Sequence, residues 1–273
     1  MTDRGFTTGL PGLDSAIGHF AEENLITVAS PDRADSVTLV INILRHMIFS
    51  QGAEALVLLP GKSPQEFRAR LRCASTGIPV HRITGRDLSA AESVLLEKHD
   101  ERMRHAPLTI LTPSSVHHDK LDEEILPHGS PDLIVIDSIQ DLEFPQPAFN
   151  EYGETANLYS RADQVAEASR TLKLLASREG TTVIALARIN AIGQRGGQSQ
   201  RGPVAHNLDA YDALLKHADV VLEVHPNPDS RRMVHIRKNR WGPDKHSILM
   251  TIEESTSRVF DSTLSLGSRR TRS

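Results

Sequence analysis

Five short, unbroken apolar runs punctuate the first two thirds of the chain: NLITVAS (24–30), EALVLLP (54–60), PLTILTP (107–113), DLIVIDS (132–138) and TTVIALAR (181–188). Runs of this kind, β-branched and apolar on both faces, predict strands of a mainly parallel sheet covered on both sides. Between them lie SVTLVINILRHMIFSQG (36–52), SPQEFRARLRCAS (63–75), LSAAESVLLEKHDERMRH (88–105) and SRADQVAEASRTLKLLASREG (160–180), each with apolar residues at helical spacing. A β-α-β-α order with right-handed crossovers places such helices on both faces. The last third differs. ADVVLEVHP (218–226), RRMVHIRKNRWGP (231–243) and KHSILMTIEESTSRVFD (245–261) alternate like antiparallel strands, joined by turns at NPDS and WGPDK. The segment NAIGQRGGQSQRGPVAHN (190–207) has almost nothing to bury and is expected to be a mobile surface loop. The pattern predicts one α/β domain over 1–262, with a parallel core running into a C-terminal antiparallel hairpin region. A basic, disordered tail is expected at 263–273.

Composition narrows the picture without choosing a partner. A chain of 273 residues with 38% hydrophobic residues can bury a full core. Its net charge of -4 excludes a global positive field for nucleic acid or anionic membranes, while leaving room for a local basic face. The single cysteine, Cys73, excludes an internal disulfide framework and reads as a buried small hydrophobe. No apolar run approaches the roughly 20 residues that span a bilayer, and the N-terminus lacks the features of a signal peptide. A soluble, cytoplasmic protein with no membrane partner is expected.

The first strand and helix flank the stretch where a nucleotide-binding protein carries its phosphate loop. A working loop reads G-x-x-x-x-G-K-[ST]: glycines let backbone N–H groups approach phosphate, the lysine neutralises it, and the hydroxyl helps hold magnesium. Here the register is Ser30-Pro31-Asp32-Arg33-Ala34-Asp35-Ser36-Val37, so Asp35 replaces the second glycine, Ser36 the lysine and Val37 the hydroxyl residue. Asp35 is expected to cap the helix and to mimic the missing anion at its positive end. At about 4 Å, a carboxylate repels a phosphate charge by ~1 kcal/mol in water and by ~4 kcal/mol at an intermediate dielectric.

Other stretches carry a family resemblance. TTGLPGLDSAIGHFAEENLITVAS (7–30) resembles the entry segment of the RecA-like domain of DnaB-type replicative helicases, with its T-G-x-x-x-L-D stretch. SPDLIVIDSIQDL (130–142) is similar to that family's Walker B strand, which implies Asp137 as the magnesium-site carboxylate and Gln140 as the glutamine that follows. The segment 160–190 matches the next helix and strand, and HADVVLEVH (217–225) the D-A-D-V-V strand. IRKNRWGP (236–243) resembles the K-x-R hairpin that acts on the neighbouring subunit's ATP site, which makes Lys238 and Arg240 candidates for a role in trans. The resemblance spans nearly residues 5–262. It implies a RecA-like P-loop NTPase fold, ATP and magnesium as possible ligands, with Asp137 a metal ligand only where magnesium-nucleotide binds. A homo-oligomer or an assembly with an active helicase is the implied partner.

The departures from the family pattern are linked. The family's catalytic glutamate aligns with Gly61, its sensor glutamine with Arg188, and one arginine with Asp209. Together with the lost lysine, these changes predict a site that does not hydrolyse ATP. Glu66 and Lys62 are expected on the solvated face of the following helix rather than as replacements for the lost groups. Lys238 and Arg240 are expected to project from one face of an extended strand, with Asn239 pointing away and Trp241 burying its ring. The loop arginines Arg195 and Arg201 are candidates for single-stranded DNA contact by phosphate neutralisation. The expected function is a degenerate helicase-like subunit that assembles, binds DNA or regulates. Asp137, Gln140 and the basic loop favour it over an interaction module that touches neither nucleotide nor DNA, and the lost lysine and glutamate disfavour an active ATP-dependent helicase with an atypical loop.

Overall fold

The structure, a computed structural model, describes residues 5–144, 160–189, 204–227 and 231–262. In chain order the elements begin with α1 (Pro11–Ile17), β1 (Leu25–Ser30), α2 (Arg33–Gln51), β2 (Ala55–Leu58) and α3 (Pro64–Thr76). They continue through α4 (Val80–Gly85), α5 (Ala90–Arg104), β3 (Leu108–Leu111), α6 (Leu121–Ile125), β4 (Leu133–Asp137), α7 (Arg161–Glu179) and β5 (Thr182–Arg188). α8 (Val204–His217), β6 (Val220–Asn227), β7 (Arg231–Asn239), β8 (Ser247–Glu253) and β9 (Arg258–Asp261) complete the chain. Among the described residues the strands form one sheet in the order β3-β2-β4-β5-β1-β6-β7-β8-β9.

The predicted parallel strands pair in parallel, and burial explains their composition. Along β4, Leu133 and Val135 enter the core that underlies α2 and α3, while Ile134 and Ile136 enter the opposite core beneath α7. A strand packed on both faces has no polar face to show. α2 is buried along most of its length, from Asp35 to Ile48, because it crosses the middle of the sheet. It starts where Asp32 caps it, accepting a hydrogen bond from the Ala34 amide at 2.9 Å, and ends at Gly52 in the left-handed conformation. The expected cap, Asp35, is instead the third residue of the helix.

The C-terminal region departs from the simple hairpin expectation. β6 pairs in parallel with β1 and antiparallel with β7, so it belongs to the parallel core and hands the sheet over to the hairpins. Its sequence alternates because Glu223 is buried within it, matched by Arg237 at 2.6 Å and His225 at 3.1 Å. The stretch at 245–261 divides into two strands, β8 and β9. The expected loop at 190–207 ends sooner, since α8 begins at Val204; residues 190–203, with Arg195 and Arg201, lie outside the described residues, as does the expected tail at 263–273. No described helix is long and apolar enough to cross a membrane.

Candidate nucleotide site

The carboxyl ends of β2, β4, β5 and β1 lie side by side in the sheet, so the segments that follow them converge at one edge. Open parallel sheets bind ligands at such a crevice. Several sequence-predicted positions meet here, together with residues that sequence reasoning did not assign.

Asp137 ends β4 and is fully buried. Its Oδ2 accepts Arg33 Nη2 at 2.5 Å and its Oδ1 accepts Arg33 Nε at 3.2 Å, a two-point guanidinium–carboxylate pair. Lys62 Nζ approaches Oδ1 at 3.3 Å and also donates to the Asp137 carbonyl. The same ammonium contacts Asp141, whose other oxygen lies 3.5 Å from Arg188. Arg33 further faces Glu66 at 3.8 Å. The result is a continuous row of alternating charges, Glu66–Arg33–Asp137–Lys62–Asp141–Arg188. Burial alone would lower the pKa of the Arg33 guanidinium; the hydrogen bond and charge of Asp137 override it and leave it raised. Burial would likewise raise Asp141, but Lys62 and Ser138 hold its carboxyl below the usual range.

Local sequence explains each placement. Gly61 turns the chain after β2 at φ +62°, a conformation that suits glycine, and its amide donates to Pro113 O at 2.9 Å. Ser63 then caps α3, accepting from the Gln65 amide at 3.3 Å. Lys62 therefore sits in the turn and not on the helix, which corrects the expectation of a solvated helical lysine. Glu66 does lie on α3 and is exposed. Ser138 binds Asp141 through both its hydroxyl (2.7 Å) and its amide (3.2 Å), closing the 3-10 turn Ile139–Asp141. Gln140 clasps the end of β5, its side chain donating to Arg188 O at 3.0 Å and accepting from Arg188 N at 3.1 Å.

The phosphate-loop positions are occupied by other work. Ser30 is buried and donates to Val224 O at 2.9 Å, Ser36 is buried and donates to Arg33 O at 3.0 Å, and Val37 is a core residue. At the N-terminus of α2, Asp32 takes the Ala34 amide with its carboxylate and the Asp35 amide with its carbonyl, at 2.9 and 3.1 Å. Asp32, and not Asp35, fills the place of an anion at the helix end. Asp35 turns toward β7, where Arg232 Nε meets it at 2.7 Å; Arg232 also holds Glu254 at 2.9 Å. Burial raises the Asp35 carboxyl's pKa despite that partner.

In this arrangement the groups that would face magnesium and phosphate already have partners within the chain. The carboxylate that would face a metal has both oxygens on cations of its own chain, and the two helix amides that would face phosphate are taken by Asp32. The adjoining cavity, about 220 Å³, is bordered by Arg33, Lys62, Glu66, Phe67 and Arg70.

Lys238 and Arg240 project toward one side, as their spacing predicts, but both are engaged within the chain. Lys238 Nζ donates to Leu215 O at 2.7 Å and satisfies the end of α8. Arg240 Nη1 meets buried Asp219 at 3.1 Å, beside Lys173 on the other carboxylate oxygen at 2.7 Å. Asn239 points away, buried against Ala16 O. Trp241 does not bury its ring, contrary to the expectation from sequence: it is 67% exposed, stacked by Arg240 at 5.4 Å and fixed through Nε1 to Asn24 Oδ1 at 3.1 Å.

Sequence reasoning missed Arg33, Asp32, Asp141 and Arg232. Arg33 left one signal, as the sole cation between Ser30 and Val37.

The family profile described as "DnaB-like helicase C terminal domain" matches residues 5–260. A probable plasmid replicative DNA helicase of Chlamydia trachomatis serovar L2 is 23% identical over 248 residues, covering 89% of this chain and 52% of its own length. The chain thus spans about half the length of the curated relatives it matches. Among solved structures, a DnaB-like replicative helicase, described with its interactions with primase, superposes with a TM-score of 0.78 at 18% identity, covering 95% of this chain and 62% of that one. A separately solved ATPase domain gives 0.77 at 18% identity over 94% and 91%.

Proposed function

Because the chain belongs to the DnaB-like helicase C-terminal domain family, we propose that it is a replication-linked RecA-fold subunit that has given up ATP turnover and acts through assembly. One observation carries this reading: the two-point Arg33–Asp137 pair, reinforced by Lys62, puts protein cations where magnesium would lie. Loss of hydrolysis then follows from three coupled changes. Ser36 supplies no charge for phosphate, Gly61 accepts no proton from water, and Asp137 is already neutralised. Surface exposure supports a role in assembly, since the Arg240 side chain is 58% exposed although it holds Asp219. Burial, with Arg240 and Lys173 nearby, lowers the Lys238 ammonium's pKa, and an acidic group on a neighbouring subunit would relieve that repulsion. Single-stranded DNA is the expected ligand of Arg195 and Arg201, by weak and salt-dependent phosphate contact.

The test is a titration with magnesium ATP, followed by ATPase measurements alone, with single-stranded DNA and with a cognate helicase. Turnover no faster than buffer is expected for the chain alone, and altered helicase turnover in the mixture. The competing reading, an active ATPase that uses Arg33 and Lys62 as phosphate cations, requires both to leave Asp137. A DNA-stimulated turnover that disappears in Asp137→Ala would establish that reading instead.

A further inference from the structure

A second polar cavity, of about 400 Å³, opens between the C-terminal half of α2, the end of α3 and α5. Arg45 contributes to it from α2, 12 residues beyond Arg33, which is roughly 18 Å along the helix axis from the phosphate loop. Three buried polar atoms in its lining have no hydrogen-bond partner: Arg45 Nε, Ser75 Oγ and His99 Nε2. His99 is only 7% exposed. Buried polar atoms of this kind ordinarily find a partner, because an unmade hydrogen bond leaves the desolvation of the group uncompensated.

The charges around these atoms have one sign. Arg45, Lys98 and Arg102 line the cavity and, among the described residues, no carboxylate does. Asp100, the acid that acts on His99, has both oxygens held by Arg72, at 2.9 and 3.0 Å. Arg258, on β9, donates to Ala74 O at 3.2 Å and adds a further positive charge near Arg45. Burial lowers the Arg45 guanidinium's pKa, and Arg258 and Arg102 lower it further. Arg102 is held in place, its Nη2 donating to Phe49 O at 2.9 Å and its guanidinium carbon 4.2 Å over the Phe49 ring. The His46 ring is satisfied separately by Thr7 at 2.9 Å, and Asp14 is the acid that acts on it.

We infer that this cavity is an anion site for a phosphoryl group, bound by Arg45, Ser75 and His99 within and by Lys98 and Arg102 at its mouth. The Arg45 Nε–H can only donate, the Ser75 hydroxyl and a protonated His99 Nε2 can donate as well, and the lining adds further cations and no carboxylate, so an anion is the ligand that the whole set suits. Guanidinium groups match tetrahedral oxyanions with paired N–H bonds. Two sources carry a phosphoryl group of this kind: a pyrophosphate-bearing small molecule and the 5′-phosphate of a nucleic acid strand. The volume admits either. The site is separate from the one at Asp137 and does not depend on how that site is read.

The probe is inorganic pyrophosphate, titrated calorimetrically into the full chain at low salt, with a single strand carrying or lacking a 5′-phosphate as the second arm. Saturable one-to-one binding of pyrophosphate is expected. Arg45→Gln should weaken it by about tenfold or more. Lys98→Gln, at an exposed position that leaves the fold intact, should weaken it by about threefold. Arg33→Gln, at the other site, should leave it unchanged. The His99 imidazole, held neutral by burial, should show its NMR titration moving upward when pyrophosphate is bound. Preference for the phosphorylated strand identifies a nucleic acid end as the source, and equal responses identify a small pyrophosphate ester. Absence of saturable binding overturns the site, as does binding that Arg33→Gln abolishes while Arg45→Gln and Lys98→Gln preserve it.

Discussion

Arg33→Ala is the most direct perturbation of the charge row, because it removes one of two cations from a carboxylate that is 1% exposed. At about 3 Å and an effective dielectric near 20, each pair contributes ~5 kcal/mol of gross Coulomb attraction, most of it offset by desolvation. Breaking a buried pair outright costs about 3–5 kcal/mol. Lys62 remains at 3.3 Å, so about 2 kcal/mol is the expected loss. In a domain of this size that lowers the melting temperature by roughly 5 °C. The reasoning also fixes the response to metal. Magnesium should not shift the melting temperature of the wild type, whose Asp137 is neutralised, but should raise that of Arg33→Ala/Lys62→Ala, where Asp137 and Asp141 face solvent without those partners. At ten times its dissociation constant the ion would return about 1.4 kcal/mol. Asp137→Asn combined with Arg33→Ala should melt above the sum of the two single losses, since removing both charges leaves neither unpaired. Two outcomes refute this account: an Arg33→Ala melting temperature within about 1 °C of wild type, or equal magnesium stabilisation of wild type and variant.

Arg232→Ala strands the buried carboxylate of Asp35 and is expected to cost about 3 kcal/mol at neutral pH. Burial already raises the Asp35 pKa, so protonation relieves the variant and its deficit should shrink as pH falls, as read from melting temperature against pH. Asp141 behaves oppositely. Its folded pKa lies below the ordinary 3.8 because Lys62 and Ser138 outweigh burial, so its contribution is present above that value and is lost as pH falls through the folded pKa. Ser138→Ala should therefore flatten the acid limb of stability. Lys238→Ala/Arg240→Ala is expected to abolish assembly in light scattering without unfolding the chain, since Lys173 still holds Asp219. Unchanged assembly and unchanged stimulation of a cognate helicase would remove these residues from the interface.

The parallel strands and long helices were legible because their burial leaves a simple trace: apolar runs where both sheet faces are covered, and helical spacing where one face is. The antiparallel pairing of β6 with β7 was legible, but its parallel pairing with β1 was not, because Glu223 interrupts its apolar run and its partner Arg237 lies on the next strand. α1 and α4 are 7 and 6 residues long, too short to display a period. Trp241 was expected to anchor the hairpin by burying its ring, yet its place after the strand end leaves it largely exposed, with Arg240 over its face and its indole N–H on Asn24.

The site itself was half legible, and the missing half is a matter of long-range pairing. Asp137 and the stretch 30–37 could be singled out residue by residue, but the meaning of Arg33 depends on a carboxylate 104 positions away and that of Asp35 on an arginine 197 positions away. Under the proposed function, these pairings account for the expected departures from the family pattern as one set. With no lysine at Ser36, a buried carboxylate at Asp137 needs another cation when metal is absent, and Arg33 and Lys62 provide it. With Asp32 on the first helix amides, the helix end needs no phosphate. Asp35, set where a phosphate would repel it, needs Arg232 to remain in the core. Returning lysine to position 36 would change only one of these conditions, placing an ammonium at a buried position while Asp137 stayed with Arg33 and Lys62 and Asp32 kept the amides. The row of ion pairs is therefore a stable state of the site in its own right, and under the proposed function the loss of ATP turnover and the retention of the fold would share one cause.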